Sequence, residues 1–199
     1  RAVAFSLKTP DRLFHCFAVG QTGTGKSTLL HNMLLGDIAN KQGFCLIDPH
    51  GDLASSIAAR AESELIYWDL SDPGSGVGFN PLVHVEDLKR PLVVSGLIDA
   101  FKKQWEDAWS ARMEHLLRYA LLALLERGEA TLKDIMPMFL DKDFRAQVVA
   151  TVKDSQVRYF WDVEYPAMNY RTSADGVAPI ANKLGAFLAH PLVRRALCS

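Results

Sequence analysis

Residues Gly20-Gln21-Thr22-Gly23-Thr24-Gly25-Lys26-Ser27 fit the spacing G-x-x-x-x-G-K-[ST], and this octapeptide constrains the chain more than any other stretch. The chemistry accounts for the residue types. A phosphate chain carries several negative charges. Successive backbone N–H groups, bent inward by glycines, cradle it with no side chain in the way. Lys26 is expected to reach the β- and γ-phosphates of ATP, and the Ser27 hydroxyl to ligate Mg²⁺. A helix starting near Lys26 adds roughly half a positive charge at its N-terminus. A chain of this length meets the pattern by chance roughly once in a hundred, given glycine at about 7% of residues.

The flanks agree with the motif. Phe14, Cys16, Phe17 and Val19 make an apolar run just before Gly20, as a buried parallel strand does. Leu29, Leu30, Met33, Leu34 and Ile38 follow on one helical face, and Gly43 stands where a C-cap belongs. The pattern predicts strands over 13–19, 44–48 and 65–69, with helices over 26–40 and 53–60 between them. That βαβαβ order points to a parallel sheet with helices on its faces. The bland alternative is a glycine-rich loop without a ligand.

After Pro81 the strand signal vanishes. Helices are predicted over 92–103 and 108–127, the second with an apolar stripe of Met113, Leu116, Leu117, Ala120, Leu121 and Leu124 and a stop at Gly128. Thr131 with Asp134 three residues on is a capping-box variant. Further helices are expected over 144–152 and over 156–165, the latter capped by Asp154 or Ser155 and stopped by Pro166. A last long helix carries Val177, Ile180, Ala181, Leu184 and Leu188. The expected fold class is therefore α/β: a partial P-loop NTPase (RecA-like) parallel sheet with an all-α domain inserted after the third strand. The expected division is 1–80, 81–190 and 191–199, the last a return toward the nucleotide-binding part, in a fragment of something longer.

Charge does not advertise a nucleic acid. The net charge is −1; residues 1–80 hold 6 Lys/Arg against 8 Asp/Glu, and residues 81–199 hold 16 against 15. Three cysteines argue against a disulfide framework and for a reducing cytosol; Cys16 and Cys45 read as small core residues. No Cys/His spacing suggests a metal site, and no apolar run is long enough to span a bilayer.

A second candidate lies in Leu46-Ile47-Asp48-Pro49-His50-Gly51-Asp52. Asp48 ends an apolar stretch, where ligands of open α/β sheets bind, so it is a candidate catalytic and Mg²⁺-holding carboxylate beside Lys26 and Ser27. The alternative makes it a turn or cap residue. His50 is a weaker candidate. Tyr159, Phe160, Trp161 and Tyr165, with Trp105 and Trp109, have the types that stack bases, but at helical spacing they also read as core. Lys102-Lys103 and Arg194-Arg195 read as solvated basic pairs.

The octapeptide with Thr28, then Asp48-Pro49-His50-Gly51, then Tyr67-Trp68-Asp69-Leu70-Ser71-Asp72 and Gly78-Phe79-Asn80-Pro81-Leu82, resembles the conjugative coupling proteins of type IV secretion, within the FtsK/HerA group of DNA-pumping ATPases. The resemblance implies ATP and Mg²⁺ as cofactors. It also implies DNA as cargo, a homo-hexameric ring, and a cytoplasmic motor at the inner face of the bacterial inner membrane. Relaxase or other cargo proteins and a secretion channel are the implied partners. Carried onto this chain it assigns Gly20, Gln21, Thr22, Gly23, Thr24, Gly25, Lys26, Ser27 and Thr28 to the nucleotide. Two departures stand out. No apolar strand ends in Asp-Glu, and no membrane anchor is present; both are expected outside these residues. A small-molecule kinase and a non-enzymatic cargo-recognition module are the competing readings.

Overall fold

The computed structural model describes residues 9–61, 65–72, 74, 76–168 and 170–199. The chain divides into two compact units, Arg1–Tyr67 and Trp68–Ser199.

The expected parallel sheet is absent. The described residues form helices and loops, with no strand. Residues 13–19, 44–48 and 65–69 carry strand-like composition but have no ladder partner. Most of their apolar side chains lie open, with Phe17 91% exposed, Ile47 86% and Ile66 82%, while Phe44 and Leu46 are half-buried. Cys16 and Cys45 are likewise exposed rather than core. The reason is that a strand is a property of a pair. β-branched and aromatic residues favour a pleated, half-buried surface only when a neighbouring strand supplies hydrogen bonds and side-chain contacts. The first segment is also interrupted. A 3₁₀ turn occupies Thr9–Phe14, and His15 takes φ 71°, a left-handed conformation that ends an extended run.

In the first unit two helices pack together, α1 (Lys26–Ala39) and α2 (Asp52–Ala58). Ile57 is buried on α2, and His31 Nε2 meets Ser56 Oγ at 3.2 Å across the pair. The chain leaves α1 through Asn40, whose side-chain amide donates to the Gly36 carbonyl at 2.7 Å, and through Lys41 at φ 53°. These residues end the helix before the expected Gly43 is reached. Arg12 grips Asp37 with two hydrogen bonds of 2.5 and 2.7 Å. That bidentate pair ties the segment preceding the glycine-rich loop to α1.

The second unit is helical. Its helices are α3 (Arg90–Gln104), α4 (Ala111–Arg127), α5 (Ile135–Leu140), α6 (Lys142–Thr151), α7 (Ser155–Tyr159), α8 (Tyr165–Ala167), α9 (Tyr170–Ala189) and α10 (Pro191–Leu197). Helix α4 is the hub, packed by α3, α5, α6, α7 and α9. Its start is set by Ser110, whose hydroxyl accepts the Met113 N–H at 3.2 Å, and its end by Gly128 at φ 82°. The apolar stripe read from sequence is the core: Met113, Leu116, Leu117, Ala120, Leu121 and Leu124 are buried. Each leucine so buried contributes about 1.5–3 kcal/mol relative to an exposed one.

The other caps are also sequence-encoded. Thr131 and Asp134 form the reciprocal box, and Asp154 accepts the N–H groups of Gln156 and Val157. Helix α7 passes through a π-helical turn, Phe160–Glu164, into α8, so Pro166 does not stop it as expected. The turn sets Phe160 flat against Tyr119, with ring centroids 4.1 Å apart, while Trp161 Nε1 donates to the Tyr119 carbonyl at 3.2 Å. These aromatics are core.

Loop residues 76–82 belong to this unit. Asn80 bridges the Ala130 carbonyl and the Leu82 N–H, and the Phe79 N–H donates to the Ala196 carbonyl of α10.

Candidate functional site

The expected phosphate-binding residues lie side by side, Gly20–Gly25 in the loop before α1 and Lys26, Ser27 and Thr28 in its first turn. Gly23 and Gly25 take φ 84° and 93°, a conformation glycine adopts without penalty. A Cβ on Gly20 would lie 2.6 Å from Thr24 Oγ1, so a side chain there would displace the loop. Thr24 closes the turn: its hydroxyl donates to the Gln21 carbonyl at 2.7 Å and its N–H to the same oxygen at 3.3 Å. Lys26, half-buried, folds back over the loop and donates through Nζ to the carbonyls of Gly20 at 2.6 Å and Gln21 at 2.7 Å.

Gly25 is the N-cap of α1, and its carbonyl accepts the Leu29 N–H at 2.9 Å. No side chain caps this terminus and its first turn has no acidic residue. The leading amides of α1 therefore have no intrahelical acceptor and end at the positive pole of the helix. Ser27 and Thr28 stand exposed in that first turn, as do Gln21, Thr22 and Thr24 in the loop. The loop, the lysine and the helix terminus form a local cationic cradle. A phosphate group entering it would meet backbone N–H donors and an ammonium already anchored beside them.

Asp48 is used differently. Its Oδ2 accepts the N–H of Leu53 at 2.9 Å and of Ala54 at 3.1 Å, and its Oδ1 accepts that of His50 at 3.1 Å. The Ala54 amide foremost, with those of His50, Gly51 and Leu53, holds this carboxyl below the usual carboxylate range against the opposing effect of burial. A carboxylate offers about four acceptor positions, and the amides of His50, Leu53 and Ala54 engage three of them. Asp48 thus ties down the first turn of α2, with Gly51 at φ 84° as N-cap. Among the described residues its hydrogen bonds go to residues 50–54 rather than to the Gly20–Ser27 loop.

The Arg12–Asp37 pair had no sequence signal, because its members are 25 residues apart and neither sits in a motif. The Arg12 guanidinium lowers the Asp37 carboxyl, chiefly by hydrogen bonding. Among the described residues no group of three His, Cys, Asp or Glu side chains is disposed to hold a metal ion. Among the described residues no helix is long and apolar enough to cross a membrane. No protein-family model, curated protein or solved structure matches the chain.

Proposed function

We propose that this chain binds ATP with Mg²⁺ through Gly20–Ser27 and Thr28. The observation that carries the reading is the uncapped N-terminus of α1 behind two left-handed glycines, with Lys26 Nζ held 2.6 and 2.7 Å from the Gly20 and Gln21 carbonyls. Anion binding at such a terminus is a local property and needs no sheet behind it. Lys26 would exchange its carbonyl partners for the β- and γ-phosphates. Ser27 would supply one oxygen to Mg²⁺, which ordinarily keeps several waters and takes the rest from phosphate. Asp48 remains the cap of α2 in this reading.

The order of motifs favours a role in a DNA-transfer motor of the coupling-protein kind, an ATPase acting as a homo-hexamer on the cytoplasmic side of a bacterial inner membrane. Relaxase or cargo proteins and a secretion channel would be its partners. That reading rests on the motifs alone.

The test is calorimetry of ATP with Mg²⁺ on the wild-type chain and on Lys26→Ala. Removing the ammonium deletes charged hydrogen bonds worth about 1.5–3 kcal/mol, so affinity should fall at least about tenfold. Equal affinity in the two proteins would overturn the assignment. Turnover measured with and without single- and double-stranded DNA tests the motor reading: stimulation abolished by Lys26→Ala supports it, and indifference to DNA counts against it.

A further inference from the structure

Helix α6 and the α7 turn enclose a concavity of about 350 Å³, within the range of small-ligand sites. Three cations line it, Lys142, Arg145 and Arg158, against one carboxylate, Asp162; Val149 and the edge of Trp161 make its wall. We propose that it is a second anion site, distinct from the Gly20–Ser27 loop, that takes a small phosphorylated ligand.

The three cations differ in a way that suits recognition. Arg145 is fixed. Its Nη1 donates to the carbonyls of Met138 at 3.0 Å and Phe139 at 3.2 Å, and its guanidinium carbon lies 5.2 Å from the centre of the Tyr165 ring. Tyr165 is itself held by its hydroxyl, which donates to the Phe139 carbonyl at 3.1 Å. This clamp uses one terminal nitrogen and leaves the Nε and Nη2 hydrogens for an anion, in the planar fork that matches phosphate. Lys142 and Arg158 are exposed and, among the described residues, have neither a hydrogen-bond nor an ion-pair partner for their charged groups. Surface cations of this size usually find a carboxylate or point apart into water. Here three line one hollow, and the lining carboxylate, Asp162, has no ion-pair partner among the described residues.

The charge count decides the kind of ligand. The hollow carries a formal +2 from Lys142, Arg145, Arg158 and Asp162, in a chain whose net charge is −1. There is no extended positive field to hold a polyelectrolyte. Trp161 is 3% exposed, so its face is not open for a base to stack on. A compact, multiply charged anion fits both facts better than a nucleic-acid strand.

The probe is inorganic pyrophosphate, titrated at low salt into the full chain carrying Lys26→Ala, which weakens the loop at Gly20–Ser27, with the amide shifts of residues 20–28 followed separately. Binding is read by calorimetry and by backbone amide shifts. Saturable shifts should gather over residues 142–149 and 158–162. Because Lys142 and Arg158 are exposed and unpaired, Lys142→Gln with Arg158→Gln should leave the circular dichroism unchanged and weaken binding by about tenfold or more. Asp162→Asn should act in the opposite sense and tighten binding, since it removes the one like charge facing the anion. A merely structural role for these side chains predicts no such reversal. The proposal is overturned if pyrophosphate produces no saturable shifts there. Equal affinity in the double variant also overturns it, as does weakening by Asp162→Asn. An oligonucleotide bound through the same residues while pyrophosphate does not bind overturns it too.

Discussion

Glycines 176 and 185 lie on the same helix, α9, and the same substitution should move stability in opposite directions. An alanine in a helix interior is favoured over glycine by about 0.5–1 kcal/mol, mostly because the unfolded chain loses less entropy. That gain applies to both sites. At Gly185, exposed, an added Cβ has nothing within 4 Å. Gly185→Ala should therefore be stabilising by the full amount. At Gly176 the added Cβ would overlap Leu116 Cδ1 well inside van der Waals contact and lie 3.1 Å from Arg112 Cγ. Leu116 is fully buried on α4, so its methyl has no empty space to turn into. Overpacking of this kind costs about 1–3 kcal/mol. The net at Gly176 is a loss of up to about 2 kcal/mol, and the gap between the two variants isolates the packing cost of about 1–3 kcal/mol because the propensity gain cancels. Urea unfolding followed by tryptophan fluorescence is the assay. All four tryptophans, Trp68, Trp105, Trp109 and Trp161, lie in the helical unit, so the signal reports that unit. Equal shifts of the two midpoints would refute the close approach of α9 to α4 at Gly176.

Two more outcomes follow from side-chain bonds in the same unit. Asn80→Ala should lower stability by about 1–3 kcal/mol, because it leaves the Ala130 carbonyl without the amide that donates to it at 2.8 Å; the urea midpoint checks this. Glu114 accepts from the Trp109 indole at 2.9 Å and from Arg118 at 3.1 Å, and these bonds, the indole's first, hold its carboxyl below the usual value near 4.5. Its folded pKa is therefore below its unfolded one. The linked stability is fully present above about 4.5 and is lost as pH falls through the lower folded value. Glu114→Gln should flatten the fall of the urea midpoint across that acidic window, and an unchanged pH profile would contradict it.

The helical unit was legible because its signals are local. Apolar spacing along α4 names the buried face before any neighbour is known, since a helix satisfies its own backbone and only needs one stripe covered. Caps are equally local, and Gly128, Thr131 with Asp134, and Asp154 act where the sequence places them. The glycine-rich turn before α1 is legible for the same reason. Its shape depends on glycines that tolerate left-handed backbone and on a lysine six residues from Gly20, all within one turn.

The misreadings lie where structure depends on partners distant in the chain. Residues 13–19, 44–48 and 65–69 have strand composition, yet composition does not create a ladder, and among the described residues these segments are unpaired and largely exposed. Asp48 is a different case: its engagement by the amides of His50, Leu53 and Ala54 is local, as the turn-or-cap alternative expects. The pairing of Arg12 with Asp37, the approach of Gly176 to Leu116, and the gathering of Lys142, Arg145 and Arg158 around one hollow required the packed chain. Backbone preference and side-chain periodicity are written residue by residue, so the sequence alone determined most of the helices, the caps at Gly128, Thr131 and Asp154, and the glycine-rich loop that precedes α1. Which surfaces meet is settled by complementarity between segments many residues apart, and only the tertiary structure decided that.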